Sequence, residues 1–441
     1  MDITPAPPPL ARFRAEFYQR ALGLRRDALF ALGDAVLAGA GPTSLVRRSL
    51  APPFRRRWAS APDALADGTL DAAALRRLFT RALPAPPAES RPLWALDGST
   101  WPRPAAKTSP ERTYERCLNR GRPQAGIVAG WEYQWLVAVP EADGSWVLPL
   151  DVARRAPAAG SPTQLAICQL RAVLAQSPAT APRPVVTLDS HDDAVALIGA
   201  ELGVDLLVRL AGHRRFHRRP GPYRGRGRRP IHGPLFRCKD PATHGTPDRT
   251  RVLTDPDHGR VVIDVWEHLH TQPAATVEFA VVRVQPERLP RRARPPAPLW
   301  LAWHGGPLPD DLALLWRWYE RRFAVEHGFR LLKQDLGWTT IRPRAPQAAD
   351  RWGWLLAAAL WQLWLARPLV ADQRLPWERP LPPGRLTPGR VRRAFGGLLA
   401  IVGTPAKPPC PRGKAPGRQP GQRPGPAPRQ PVQRRAPPTA A

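Results

Sequence analysis

The segment YERRFAVEHGFRLLK, residues 319–333, sets Glu326 among cations at helical spacing. At about 100° per residue, Tyr319, Arg322, Glu326 and Lys333 fall within roughly 60° of one another on a helix. Arg330 lies on the same stripe. Ala324, Val325, Gly328, Leu331 and Leu332 take the opposite side, which suits a core. Arg321 falls near that apolar side and breaks the pattern. The spacing predicts a helix with one buried and one polar face. It leaves open whether the polar face meets water or a ligand.

The chain of 441 residues is long enough for two or three domains, and its formal charge is +30. That charge points to a polyanionic partner, nucleic acid first and an acidic membrane surface second. The bases are clustered. Residues 209–239 hold 11 Arg or Lys and no acid, and residues 404–441 hold 8 and no acid. Clustering of this kind is the footprint of a nucleic-acid surface. Cys117, Cys168, Cys238 and Cys410 form no CxxC pair, so neither a paired-cysteine zinc site nor a disulfide framework is expected. The N-terminal MDITPAPPPL lacks the regions of a signal peptide, and WGWLLAAALWQLWLA, broken by Gln362, is too short for a span. The expectation is a cytoplasmic protein with no membrane partner.

Along the chain, residues 1–88 read as a helical N-terminal domain, with apolar positions at helical spacing in ARFRAEFYQRALGL, RRDALFALGDAVLAG and DAAALRRLFTRAL. PLWALDGST, GWEYQWLVAVP and SWVLPLDVA then read as strands, PTQLAICQLRAVLAQ as a helix, PRPVVTLDS as a strand, DAVALIGAEL as a helix and VDLLVRL as a strand. Strands alternating with helices make an α/β fold over 89–211. A β-rich basic insertion occupies 212–308, with strands in VVIDVWEHLH, ATVEFAVVRV and APLWLAWHG. Residues 309–403 bring the helix DLALLWRWYERRFAVEHGFRLLKQ, continuous in this reading, and a Trp-rich helix. The Pro/Gly-rich basic tail, 404–441, has too few apolar residues for a core and is expected to be disordered.

Two strand ends pair with Glu326. Asp97 closes the apolar run in WALDGSTW, and Asp189 does the same in VVTLDSHDD. A turn former or helix cap is the plain alternative for each. Taken together, two strand-borne aspartates and a helix-borne glutamate supply hard oxygen ligands for Mg²⁺. Two such ions about 4 Å apart activate the attacking oxygen and stabilise the leaving one in phosphoryl transfer.

The complete pattern Tyr-x2-Arg-x3-Glu-x6-Lys at Tyr319, Arg322, Glu326 and Lys333 resembles the signature of DDE insertion-sequence transposases of the YREK group. LDGSTWPRPAAKTSPER, RPRAPQAADRWGWLLAAALWQLWLARPLV and PWERPLPPGRLTPGRVRRAF are similar to one branch of that group. The resemblance implies an RNase H-like mixed sheet flanked by helices, with Asp97, Asp189 and Glu326 as catalytic metal ligands for two Mg²⁺ ions, Mn²⁺ being a substitute. It also implies that Arg322 and Lys333 contact phosphates, that Tyr319 positions DNA, and that transposon ends and target DNA are the partners. Synapsis of two ends implies a homodimer, and the insertion implies second-strand cleavage through a hairpin. One departure stands out: the group usually has Tyr three residues after the second Asp, and this chain has Asp192.

Other candidates for DNA contact are Arg330 on the stripe and Arg224, Arg226 and Arg228 in GPYRGRGRRP, read as a phosphate-binding arm or a minor-groove clamp. Trp300 is a candidate to stack on a flipped base, with a place in a strand core as the alternative. His213, His217 and His232 read as solvated loop residues. The function expected is Mg²⁺-dependent cleavage and strand transfer at transposon ends. The alternatives are an inactive or domesticated DNA-binding protein, and a basic RNA-associated structural protein.

Overall fold

The computed structural model describes residues 8–39, 41, 43–86, 91–117, 126–190, 192–223, 225, 227–290, 296–382, 384–410, 419, 421–423 and 425–435. The first part is helical: α1 (Pro9–Glu16), α2 (Arg26–Ala38), α3 (Leu45–Arg48), α4 (Ser60–Asp67) and α5 (Ala72–Arg81). A π-helical turn, Phe17–Ala21, follows α1. Asp71 caps α5 by accepting from the backbone N–H of Ala74 at 3.0 Å.

Twelve strands form one mixed sheet among the described residues. They are β1 (Leu93–Pro102), β2 (Thr113–Cys117), β3 (Gly126–Ala138), β4 (Leu148–Arg154), β5 (Val185–Leu188) and β6 (Asp205–Leu210), followed by β7 (Arg215–His217), β8 (Leu235–Arg237), β9 (Arg249–Asp255), β10 (Gly259–Thr271), β11 (Ala274–Pro286) and β12 (Leu299–His304). The order across the sheet is β2-β3-β1-β5-β6-β12-β11-β10-β7-β8, with β4 on β3 and β9 on β10. β1, β5 and β6 are parallel neighbours, while β12 returns antiparallel to β6. The β-rich segment after residue 212 therefore continues the same sheet.

Helix α6 (Pro162–Leu174) precedes β5 and α7 (Ala194–Gly199) links β5 to β6. After β12 come α8 (Ala313–Arg321), α9 (Ala324–Arg330), a π-helical turn Leu331–Asp335, α10 (Pro346–Ala366) and α11 (Pro388–Val402). The mixed α/β sheet flanked by helices agrees with the sequence reading. No described helix is long and apolar enough to cross a membrane.

Two differences have physical causes. The tail was expected to be disordered throughout, yet Gln430–Arg435 lies along the sheet, with the Gln430 N–H donating to the Lys107 carbonyl at 2.8 Å and the Gln433 N–H to that of Arg112 at 2.7 Å. Composition speaks only to apolar burial, and this segment is held by backbone hydrogen bonds and ion pairs instead. The helix read as continuous over 311–334 is interrupted, because the backbone N–H groups of Arg322, Phe323, Val325 and Glu326 bond three residues back, at 2.9–3.1 Å. This 3₁₀ tightening separates α8 from α9.

The first helices share a core with the last ones. Phe79 stacks on Trp361 at 5.6 Å, and Phe13 on the same indole at 6.3 Å. Within this core Arg14 and Asp34, each 2% exposed, pair at 2.8 Å. Arg14 also donates to the Gln362 side chain and to the Gly403 carbonyl. Burial pushes the Asp34 carboxyl up and the Arg14 charge opposes that push. Removing one partner of such a pair strands the other charge in the core. Arg14→Ala is accordingly expected to lower unfolding free energy by about 3–5 kcal/mol in denaturant titration, and Asp34→Ala by a similar amount. A cost below about 0.5 kcal/mol for both would show that the pair is solvated.

Candidate active site

Strand register builds the site. On β1 and β5, Trp94 is opposite Val186 and Ala95 opposite Thr187. Two residues further on, Asp97 comes level with Asp189. On β5 and β6, Leu188 is opposite Val208, so the following pair is Asp189 and Arg209. Asp97, Asp189 and Arg209 thus form one row across three parallel strands; Asp189 directly follows β5 and Arg209 is next to last in β6, whereas Asp97 does not close its strand as the sequence suggested, because β1 runs on to Pro102 paired with β3. The Arg209 guanidinium is 3.4 Å from Asp189 Oδ1. Backbone N–H groups of Gly98 and Ser190 donate to Asp97 Oδ1 and Asp189 Oδ1 at 2.8 and 2.7 Å.

The segment 319–333 faces this row. The Arg322 guanidinium lies 2.9 Å from Asp97 Oδ2 and 3.8 Å from Asp189 Oδ2, spanning the two strands. Its carbon sits 5.5 Å from the Tyr319 ring centroid, so the guanidinium rests on an aromatic face. Glu326, one turn on in α9, is exposed. The apolar side expected of this helix is buried at Ala324, Val325, Gly328, Leu331 and Leu332. A Cβ on Gly328 would meet Val147 Cγ2 at 2.4 Å, which is the close approach that requires glycine. Arg321, the misfit in the pattern, donates to the Glu141 and Val139 carbonyls at 3.1 and 2.8 Å. It closes off carbonyls beyond the end of β3, a partner invisible to periodicity.

The electrostatics are those of crowded acids held by an arginine. Burial raises the Asp97 carboxyl; Arg322 and the Gly98 N–H oppose this, and the charges of Glu326 and Asp189 add to it. Burial alone would lower Arg322, but the charges of Asp97, Tyr319 and Asp189 leave it raised. Asp192 is 8% exposed. Its carboxyl is pushed up to about 7, chiefly by burial and then by Asp97, with Thr163 opposing. Asp192, Glu132 and Arg209 join the electrostatics of this site. Arg209 was counted in a basic run without a role, and its place depends on register between strands.

Among the described residues, no three His, Cys, Asp or Glu side chains form a group that could hold a metal ion as they stand. The oxygen donors of Asp97, Asp189 and Glu326 nonetheless fit a hard divalent ion in kind. Their mutual charge calls for a cation, and Arg322 is the cation in contact with both aspartates.

The remaining candidates are dispersed. Arg330 is exposed, and Lys333 is half-buried, its Nζ 5.8 Å from the Phe329 ring and 5.9 Å from that of Trp338. Arg228 is exposed in the loop between β7 and β8, whereas Arg224 and Arg226 lie outside the described residues. His213 is exposed, but His217 and His232 are not solvated loop residues. Their rings lie 4.7 Å apart, and His232 is 5.2 Å from buried His270. Trp300, the stacking candidate, is 4% exposed and packs on Phe236, Trp266 and His244. β12 is buried on both faces from Trp300 to Trp303, so this side chain is part of the core and is not presented to DNA. Trp300→Ala is expected to cost about 3–5 kcal/mol of stability in denaturant titration. A change within about 0.5 kcal/mol would return it to a surface role.

A search of curated proteins finds no match for this chain. A family model does match: that of the DDE superfamily endonucleases, over residues 16–262. The matched span covers more than half of the chain and contains Asp97 and Asp189, ending before Glu326. The chain belongs to the DDE superfamily endonuclease family.

Proposed function

We propose that this endonuclease-family chain is a DNA transposase of the YREK group, cutting transposon ends and joining them to target DNA. The observation that supports this best is the Arg322 bridge. It ties Asp97 and Asp189, level on adjacent parallel strands, to the helical segment that carries Glu326. In this reading the catalytic core is RNase H-like and split between residues 89–211 and 309–403. Residues 1–88 contact the transposon end, 212–308 form the basic insertion, and 404–441 the basic tail.

Asp97, Asp189 and Glu326 would hold two Mg²⁺ ions, or Mn²⁺ in their place, which when bound would supply an activated oxygen nucleophile and a stabilised leaving oxygen. The chain's own part follows from charge. Arg322 is the countercharge of the aspartates before DNA arrives, and it turns to the phosphodiester once they are otherwise neutralised. Arg209, Arg330 and Lys333 offset phosphate charge, and the Tyr319 ring keeps the Arg322 plane oriented. Two copies are needed, because two ends are brought together.

A second reading has one observation in its favour. Asp192 occupies the position where the group usually has Tyr, and it is a buried acid beside Asp97 and Asp189. That substitution suits a chain that binds DNA without cutting it.

Glu326→Gln separates the readings. It is expected to bind an end-containing duplex as the wild type does in a gel shift, and to lose Mg²⁺-dependent nicking on the order of 1000-fold. Nicking by this variant at the wild-type rate refutes the catalytic role. Binding without nicking by the wild type itself selects the second reading.

A further inference from the structure

The free edge of β2 carries a ligand from the chain itself. β2 is the outermost strand at its end of the sheet, and an unpaired edge invites pairing with an extended segment. Residues 430–435 supply one. Besides the two backbone bonds of Gln430 and Gln433, Gln433 forms a parallel bridge with Thr113, and Arg112 Nη2 donates to the Gln430 carbonyl at 2.9 Å. Gln430, Val432 and Arg435 are half-buried while Pro431, Gln433 and Arg434 are exposed.

Arg435 provides the specificity. Its Nη1 is 2.7 Å from Glu132 Oε2 and 3.2 Å from Glu115 Oε2, and its Nη2 donates to Thr113 Oγ1 at 3.1 Å. Glu115 is 4% exposed, so this carboxylate depends on its partners rather than on water. Glu132 also pairs with Arg155 at 2.6 Å, but Arg435 touches both acids. The groove therefore selects an extended peptide that presents an arginine.

The same arginine cannot serve a phosphate at the same time, because both its terminal nitrogens are committed to two carboxylates and a hydroxyl and its Nε, which has no partner, is buried. The segment from 404 to the end holds 8 basic residues and no acid, which makes a released tail a strong ligand for a polyanion. The docked end is near the candidate site along the ladder, Glu132 being opposite Thr100, three residues beyond Asp97, but this odd offset turns the two side chains to opposite faces of the sheet.

We propose that residues 430–435 are an exchangeable in-chain ligand of the β2 edge, bound either there or to DNA and not to both. That DNA is the competitor rests on the function proposed above; the docking itself does not.

Hydrogen exchange read by mass spectrometry on the full chain tests it. Peptides spanning 430–433 and 113–117 are expected to exchange at least about tenfold slower than their intrinsic rates. Arg435→Ala should bring 430–433 to the intrinsic rate, and saturating duplex DNA should do the same to the wild type, with residues 94–102 and 130–138 unchanged. Intrinsic exchange of 430–433 without DNA overturns the docking. Undiminished protection when fluorescence anisotropy shows DNA bound overturns the exclusivity. If anisotropy shows no DNA binding, the proposed function and the exchange fall together, and the Arg435→Ala arm alone decides the docking.

Discussion

Two carboxylates level with each other on adjacent parallel strands repel, and the Arg322 guanidinium in contact with both Asp97 and Asp189 offsets that repulsion, with Arg209 beside Asp189. The contact does two things at once. It offsets the cost of burying Asp97 beside other acids, and it fixes α9 against the middle of β1 and the carboxyl end of β5. Glu326 follows one turn later, so its place depends on the same contact.

The seat of that helix is aromatic. Trp338, just past the π-helical turn, packs on Trp135 at 5.3 Å, Tyr133 at 5.6 Å and Trp101 at 6.0 Å, all from β1 and β3. Phe329 in α9 stacks on the same Trp338 at 6.3 Å. Asp97 is opposite Trp135, so it shares the face on which this cluster sits. Rigid rings hold position at low entropic cost, which suits a surface that must place charges accurately. Gly328 against Val147 brings the helix close enough for Arg322 to reach both strands.

Much of this was legible in the sequence, and the limits have physical causes. Periodicity located the buried side of the 319–333 segment and the apolar strand runs leading to Asp97 and Asp189, because those signals are local, but it ended β1 five residues early. The row linking Asp97, Asp189 and Arg209 was not visible, since register joins residues that are nearly a hundred positions apart. β2 and β9, read as TYERC and RTRVLTD, carry too many charged and polar residues to announce themselves as strands. For Trp300 the sequence offered both stacking on a base and a place in a strand core, and its neighbours across the sheet bury it in the core. The tail escaped because compositional reasoning counts apolar area and does not see an acidic sheet edge awaiting an arginine.

The central claim is that Asp97, Asp189 and Glu326 act on one cation site. Electron paramagnetic resonance of Mn²⁺ with the DNA-bound protein measures this directly, using metal affinity rather than turnover. The account predicts that Asp97→Asn, Asp189→Asn and Glu326→Gln each weaken Mn²⁺ binding by about 10- to 100-fold. Wild-type affinity in all three variants would contradict it.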